Sequence, residues 1–394
     1  MIEGLPVLYF SDGRLWEEAA LYLTSWARDI AEDQAGADLQ SVQSSAWQLR
    51  AYLEFCEEKS LDPMKFGKRR YEKPTYLFKG RLIQQRDGKA TRDDGSKLKQ
   101  LAASTVSNRI AAIARFFLWL IDTGAAQFQH PPCKVKHITI QTRTAHGLRR
   151  SIQVRTTDLA IRYRAADRNS VEGGLKPVSR AMRDEILGAA RKHCSIEFAL
   201  MLELGFLSGP RIQTICDLKC ATLENARRRR TETLLMLPVG PKHGVATKGG
   251  VNYELQVPLD LLERLREYAV SPRRALRVAK ASEVDCDVLF LNRFGKRYNR
   301  RGADESTSIA QDMARLRRAT KGVLDLANFY FHCSRATFGT TIVNAGLRAG
   351  VSLDRILSRL KTLMGHKDAR VSLGYVHFVE KEEANSKIDE ELCA

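Results

Sequence analysis

Apolar residues return every three or four positions along SSAWQLRAYLEFCEEKS, where Trp47, Leu49, Tyr52, Leu53 and Phe55 make one stripe. They do so again along STVSNRIAAIARFFLWLIDTG, through Val106, Ile110, Ile113, Phe116, Phe117 and Leu120. That period predicts two amphipathic helices on a shared core. Ser104 or Thr105 is placed to cap the second helix, and Gly124 to end it in a left-handed turn. Between the two, FGKRRYEKPTYLFKGRLIQQRDGKATRDDGSKLKQ is polar, basic and broken by glycine and proline, which predicts loops on a charged face. After Pro131-Pro132 the period falls to two. HITIQTRT and RRSIQVRT alternate on either side of AHGL, so a hairpin is expected near 136–156.

The stretch ADRNSVEGGLKP, residues 166–177, has the composition of a linker and places a domain boundary near 165–175. Beyond it, SRAMRDEILGAARKH begins a helix with Ser179 as N-cap, and IEFALMLELGFLSG is apolar on all sides, as a buried helix is. TETLLMLPVG and VNYELQVPL are strand-like, joined by the turn-rich PKHGVATKGG. Further helices are expected over 259–270, 304–320, 333–345, 353–363 and 368–377. The fold class that follows is mainly α. A helical domain over 1–165, which includes the hairpin, precedes an α+β domain over 166–378 with a small antiparallel sheet, and 379–394 form an acidic tail.

Length and composition agree with this division. A chain of 394 residues exceeds one ordinary core, and 44% hydrophobic residues suffice for two. Its 64 Lys+Arg against 46 Asp+Glu leave +18 at pH 7, which favours a polyanionic partner or an anionic membrane surface. The membrane is the weaker choice. No apolar run approaches the roughly 20 residues of a membrane span, and the start, MIEGLPVLYFSDGRLWEEAA, has no basic segment leading into a long apolar one. A cytoplasmic protein is expected. The eight cysteines are scattered, with only Cys216 and Cys220 close together, so neither a zinc site nor a disulfide framework is indicated.

Four places in the second half set polar residues in apolar sequence: Arg211 in LSGPRIQTI, Lys248 in ATKGGVNYELQVP, His332 with Arg335 in FYFHCSRATFGTTIV, and His366 with Tyr375 in LMGHKDARVSLGYVHF. On a helix His332 and Arg335 share a face, while Phe331, Phe338 and Ile342 turn to the core. Arg211 follows Gly209-Pro210 at a helix start, where the backbone N–H groups favour an anion. Two arginines on one phosphate would stabilise a pentacoordinate transition state, a hairpin lysine could protonate a leaving oxygen, and cations would make a phenol a usable nucleophile. Each residue taken singly has an ordinary explanation as a surface ion pair, a solvated lysine or a half-buried ring. GPKHGVATKGG lacks the Gly-Lys-Ser/Thr ending of a phosphate loop and is flanked by strands, so it does not indicate a nucleoside triphosphate site.

As an ordered set, Arg, Lys, His-x-x-Arg, Gly-His and Tyr resemble the tyrosine recombinase (phage integrase) family. STVSNRIAAIARFFLWLIDTG is similar to the DNA-clamping helix of that family's core-binding domain, LSGPRIQTICDLK to its first arginine box, TKGGVNYELQVP to its lysine hairpin and LMGHKDARVSLGYVHF to its nucleophile box. The resemblance spans most of residues 40–378. It implies that Arg211 and Arg335 hold a scissile phosphate, Lys248 protonates the departing 5′-oxygen, His332 and His366 assist, and Tyr375 attacks to give a 3′-phosphotyrosine, with no metal or other cofactor. It also implies double-stranded DNA as partner and a homotetramer on two DNA sites, for which the 379–394 tail is a candidate exchange segment. Candidate DNA-backbone contacts are Arg227, Arg228, Arg229 and Arg230, and Lys296, Arg297, Arg300 and Arg301; either run could equally be a solvated loop.

The sequence departs from the family pattern in three ways. Thr214 stands where an acidic residue often follows the first arginine, Ala336 follows Arg335 where a histidine is common, and the Arg335–His366 interval is long. Three alternatives stay open: a DNA-binding protein of this fold without catalysis, a type IB topoisomerase or telomere resolvase, and a metal hydrolase built on His332, His366 and His377.

Overall fold

The computed structural model describes residues 4–32, 39–92, 94–143, 149–161, 171–172, 174–229, 231–301, 305–366 and 369–393. The chain divides into two units, Met1–Ala166 and Asp167–Ala394.

The first unit contains α1 (Glu17–Glu32), α2 (Leu39–Glu58), α3 (Pro74–Arg86), α4 (Ala103–Thr123) and a two-stranded antiparallel ribbon, β1 (Val135–Arg143) with β2 (Arg149–Thr157). The whole α4 stripe from Val106 to Leu120 is buried. Its rings meet Trp16 edge-on at 5.4 Å from Phe116 and Tyr52 at 5.8 Å from Phe117. Gly124 ends α4 with φ +69°, but the helix starts at Ala103 on Ala102, with no side-chain cap from Ser104 or Thr105. Trp47 belongs to no core stripe: it is 64% exposed, with the Arg50 guanidinium 5.4 Å from its ring centre.

The stretch expected as loops holds α3. Pro74 at its first position needs no N–H partner, and Phe78 and Leu82, four apart, are enough to bury one face. The foot of the ribbon is tied down by Asp158, whose carboxylate accepts from the Tyr76 hydroxyl at 2.7 Å, Lys134 N at 3.0 Å and Arg70 at 3.1 Å. Its AHGL turn lies outside the described residues.

The second unit runs α5 (Arg180–His193), α6 (Ile196–Ser208), α7 (Ile212–Cys216), α8 (Cys220–Glu224), β3 (Arg227–Arg229), β4 (Thr231–Val239), β5 (Tyr253–Pro258), α9 (Leu259–Ala269), α10 (Pro272–Val278), α11 (Thr307–Ala319), α12 (Cys333–Arg348), α13 (Leu353–Met364) and α14 (Ala369–Cys393). The strands form one antiparallel sheet in the order β3-β4-β5. The fold is mainly α with small antiparallel sheets. Ser179 caps α5, its Oγ accepting from Met182 N at 3.2 Å.

Helix α6 is the central element. It is buried on nearly every side, and its two acidic residues are neutralised in place: Glu197 by Arg273 at 2.7 Å and Arg277 at 3.0 Å, Glu203 by Arg264 at 2.7 Å and Arg191 at 3.0 Å. Pairing of this kind is what permits buried carboxylates. Helix α12 packs against α6 at backbone distance. A Cβ on Gly205 would lie 2.2 Å from Ser334 Oγ, and one on Gly209 2.3 Å from Phe338.

Two readings of the sequence change here. The residues expected as a linker are, where described, part of this unit: Val171 is 2% exposed and joins the core of α12, α13 and α14. The acidic tail is not a separate segment, since α14 continues unbroken to Cys393. Among the described residues no helix is long and apolar enough to cross a membrane.

Candidate active site

The close approach of α12 to α6 carries Arg335, 0% exposed, into the interior. Its guanidinium is almost fully engaged. Nη1 donates to Gly209 O at 2.5 Å, the carbonyl at the left-handed end of α6, and Nη2 donates to Met364 O at 3.0 Å at the end of α13. Nε and Nη2 both donate to the carboxylate of Glu172, at 3.1 and 3.0 Å.

His366 follows Gly365, which ends α13 in the left-handed region at φ +59° and directs the next residue back across the helix end. The imidazole is buried, with Nε2 2.6 Å from Glu172 Oε1 and 2.8 Å from Arg335 Nη2, and Nδ1 2.9 Å from Ser372 Oγ on α14. A guanidinium only donates and a carboxylate only accepts, so the two contacts of Nε2 make opposite demands: a proton there serves Glu172, a bare nitrogen serves Arg335, and the Ser372 hydroxyl can complement Nδ1 in either tautomer. Burial lowers the His366 pKa, with Arg335 adding to the effect and Glu172 opposing it. His332, at the N-terminal edge of α12, sets Nε2 3.6 Å from Glu172 Oε2. Burial works against the Glu172 charge, but the rings of His332 and His366 and the charge of Arg335 outweigh it and hold the carboxyl well below the usual range.

Tyr375 lies in the same place. Its ring stacks on His366 with centroids 6.0 Å apart and sits against the α12 backbone, where only a glycine at 339 leaves room: a Cβ there would lie 2.2 Å from Cε1. The residue is 0% exposed, and among the described residues its hydroxyl has no hydrogen-bond partner. Burial pushes the phenol well above its ordinary pKa, and the charge of Glu172 adds to this while Arg335 and Arg211 pull it down. Glu172 acts on the hydroxyl through its charge rather than through a formed hydrogen bond.

Arg211 is the residue before α7 and is partly exposed. Its positive charge acts on both His366 and Tyr375. Lys248 is exposed, on a short turn between β4 and β5 where Gly249 and Gly250 have φ +68° and +67°. That turn is anchored, not loose: Val245 is buried, Ala246 N donates to Asp217 at 2.7 Å and the Thr247 hydroxyl to Val251 O at 2.6 Å.

Of the basic runs, Arg227 is exposed, Arg228 and Arg229 belong to β3, and Arg230 lies outside the described residues. Lys296, Arg300 and Arg301 are exposed. Arg301 also lies 3.5 Å from Asp217, but Arg297 is the more buried of the two: its side chain is 12% exposed and forms ion pairs with Asp217 and Asp285, so its charge is already used inside the fold. His377 is exposed beside Glu380, and among the described residues no group of three or more His, Cys, Asp or Glu is placed to hold a metal.

The structure thus brings His332, Arg335, His366 and Tyr375 to one place, around Glu172, which the sequence does not single out. The signal was faint: one glutamate before two glycines in a polar stretch. Thr214, where an acidic residue often stands three positions after the first arginine, is buried with no hydrogen-bond partner for its hydroxyl among the described residues; Glu172 places a carboxylate on Arg335, not on Arg211.

No family model and no curated protein matches the sequence. Solved structures do. The chain is similar to XerA recombinase at 13% identity and a TM-score of 0.35, over 93% of this chain and 98% of that one. It is similar to lambda integrase (residues 75–356) bound to DNA at 12% identity and a TM-score of 0.48, over 92% and 97%. A lambda integrase tetramer bound to a Holliday junction matches at 13% identity and a TM-score of 0.44, over 90% and 76%. At 12–13% identity these are likenesses of fold.

Proposed function

We propose that this protein is a site-specific DNA recombinase or integrase that cuts and rejoins strands through a 3′-phosphotyrosine. The observation that carries the reading is that Arg335, His332 and His366 converge on a single anion, the Glu172 carboxylate, with the ring of Tyr375 stacked beside them. A constellation that binds a carboxylate through a guanidinium fork and two ring nitrogens is equally suited to the non-bridging oxygens of a phosphodiester.

In this reading the phosphodiester takes the place of that carboxylate, and Arg335 and Arg211 neutralise the charge that grows on its equatorial oxygens. The Tyr375 oxygen attacks phosphorus and passes its proton to one of the flanking histidines, His332 or His366, the P–O5′ bond breaks, and Lys248 supplies the proton that the leaving 5′-oxygen needs. His366, held by Ser372, hydrogen-bonds the phosphate. Because the phosphotyrosine conserves the phosphodiester bond, a 5′-hydroxyl of another strand can reverse the step. The excess of 18 positive charges fits a polyanionic partner, with Arg227, Lys296, Arg300 and Arg301 as exposed candidates for backbone contacts. Double-stranded DNA, a homotetramer on two sites and exchange of the end of α14 are the partners this reading assigns.

The test uses a nicked duplex carrying the protein's own attachment site, from which the fragment bearing the 5′-hydroxyl diffuses away after cleavage. Wild type is expected to give a denaturation-resistant adduct; absence of an adduct on that site contradicts the reading.

A further inference from the structure

The carboxylate of Glu172 sits where an anion would have to sit. It takes the Nε and Nη2 edge of Arg335 at 3.1 and 3.0 Å, the fork with which a guanidinium grips carboxylate or phosphate alike. The same carboxylate faces Nε2 of His366 at 2.6 Å and Nε2 of His332 at 3.6 Å. Two anions cannot share the Nε and Nη2 edge: they would repel at contact distance, and two of the other Arg335 N–H groups already serve the carbonyls of Gly209 and Met364.

The backbone is arranged to hold this side chain in. Glu172 has φ +43°, in the left-handed region that a residue with a side chain rarely adopts. It stands in a short turn closed on both sides, Val171 N donating to Leu175 O and Leu175 N to Val171 O, each at 2.9 Å. Val171 anchors that turn in the core beneath α12 and α14.

We propose that Glu172 is a resident phosphate mimic, seated in the anion position of the active site, which a DNA phosphate must displace before Tyr375 can react. The inference rests on the reading of the site as a phosphodiester site. No bond is made or broken in the exchange; one anion replaces another on the same donors. While Glu172 is seated, the group that Tyr375 would attack has no place to bind.

Inorganic phosphate is the probe, its affinity read from the 15N-labelled histidine rings of the full chain in wild type, Glu172→Gln and Glu172→Ala. A site that is open only part of the time binds with its affinity reduced by that fraction, so a carboxylate seated nine-tenths of the time weakens phosphate about tenfold. Glu172→Ala is therefore expected to bind phosphate at least about tenfold more tightly than wild type. Unchanged or weaker binding overturns the proposal, because a purely positioning Glu172 would loosen Arg335 and His366 when removed. Should the variants fold poorly, the 13C resonance of the Glu172 carboxyl in wild type serves instead. It is expected to shift to that of a solvated carboxylate when a duplex carrying the attachment site is added, and a resonance that stays put overturns the idea. The two readings fail separately. An adduct from wild type with no tightening in Glu172→Ala sinks the mimic alone, whereas tightening with no adduct from any variant sinks the recombinase reading alone.

Discussion

Gly339→Ala is the sharpest steric test of how Tyr375 is held. The new methyl would lie 2.2 Å from Cε1, 2.6 Å from Cδ1 and 2.9 Å from Cζ of Tyr375, so the ring or the helix must move by more than 1 Å to reach an ordinary contact of about 3.5 Å. The ring has little space to yield, since Tyr375 is fully buried and stacked on His366. Overpacking of this kind costs about 1–3 kcal/mol, against which replacing a helix-interior glycine recovers roughly 0.5–1 kcal/mol. The expected net loss is about 1 kcal/mol, or a fall in Tm of roughly 2–4 °C for a domain of this size. Gly374→Ala on α14 is the internal control: its Cβ meets nothing within 4 Å, so only the helix gain should appear. Calorimetry and the rate of adduct formation on the nicked duplex are measured for both. Gly339→Ala should be less stable and at least about tenfold slower, since an angstrom of misplacement is enough for losses of that order. If it matches Gly374→Ala in both, the packing of Tyr375 on α12 described above is wrong.

Other predictions follow from the same contacts. Tyr375→Phe removes a buried hydroxyl without a partner among the described residues, so stability should hold or rise by up to about 1 kcal/mol in denaturant titration even though no adduct forms. Arg335→Ala strands the Glu172 carboxylate and should cost about 3–5 kcal/mol, while the double variant Arg335→Ala/Glu172→Ala should lose clearly less than the sum of the singles in a mutant cycle. Both His366 and Glu172 have folded pKa values below their unfolded ones, so the unfolded chain takes up protons first. Stability should therefore fall on acidification through about pH 6.5 for His366 and again below about pH 4.3 for Glu172, and His366→Gln should erase the upper step of a pH series of unfolding midpoints.

What could be read in advance follows from how each signal is encoded. The α4 stripe and the apolar run of α6 announce themselves through period and length, and His332, Arg335, Gly365-His366 and Tyr375 stand out because polar groups interrupt apolar sequence there. Helix α3 was hidden because only Phe78 and Leu82 mark its buried face among charged residues. Trp47 follows the helical period, yet its ring is exposed with the Arg50 guanidinium over it, since periodicity reports a face and not its neighbour. Arg297 looked like its basic neighbours, and only the fold reveals that Asp217 and Asp285 claim it. Glu172 was illegible for a stronger reason. Its role depends on contacts to residues more than 150 positions away and on a backbone angle that no local pattern of side chains specifies.

The most direct test of the central claim is to digest the trapped protein–DNA adduct and locate the linkage by mass spectrometry. The account predicts a single phosphotyrosine at Tyr375, joined to the 3′ end of the cut strand, and none in Tyr375→Phe. A linkage to any other residue, to a 5′ end, or an adduct that survives Tyr375→Phe would contradict it.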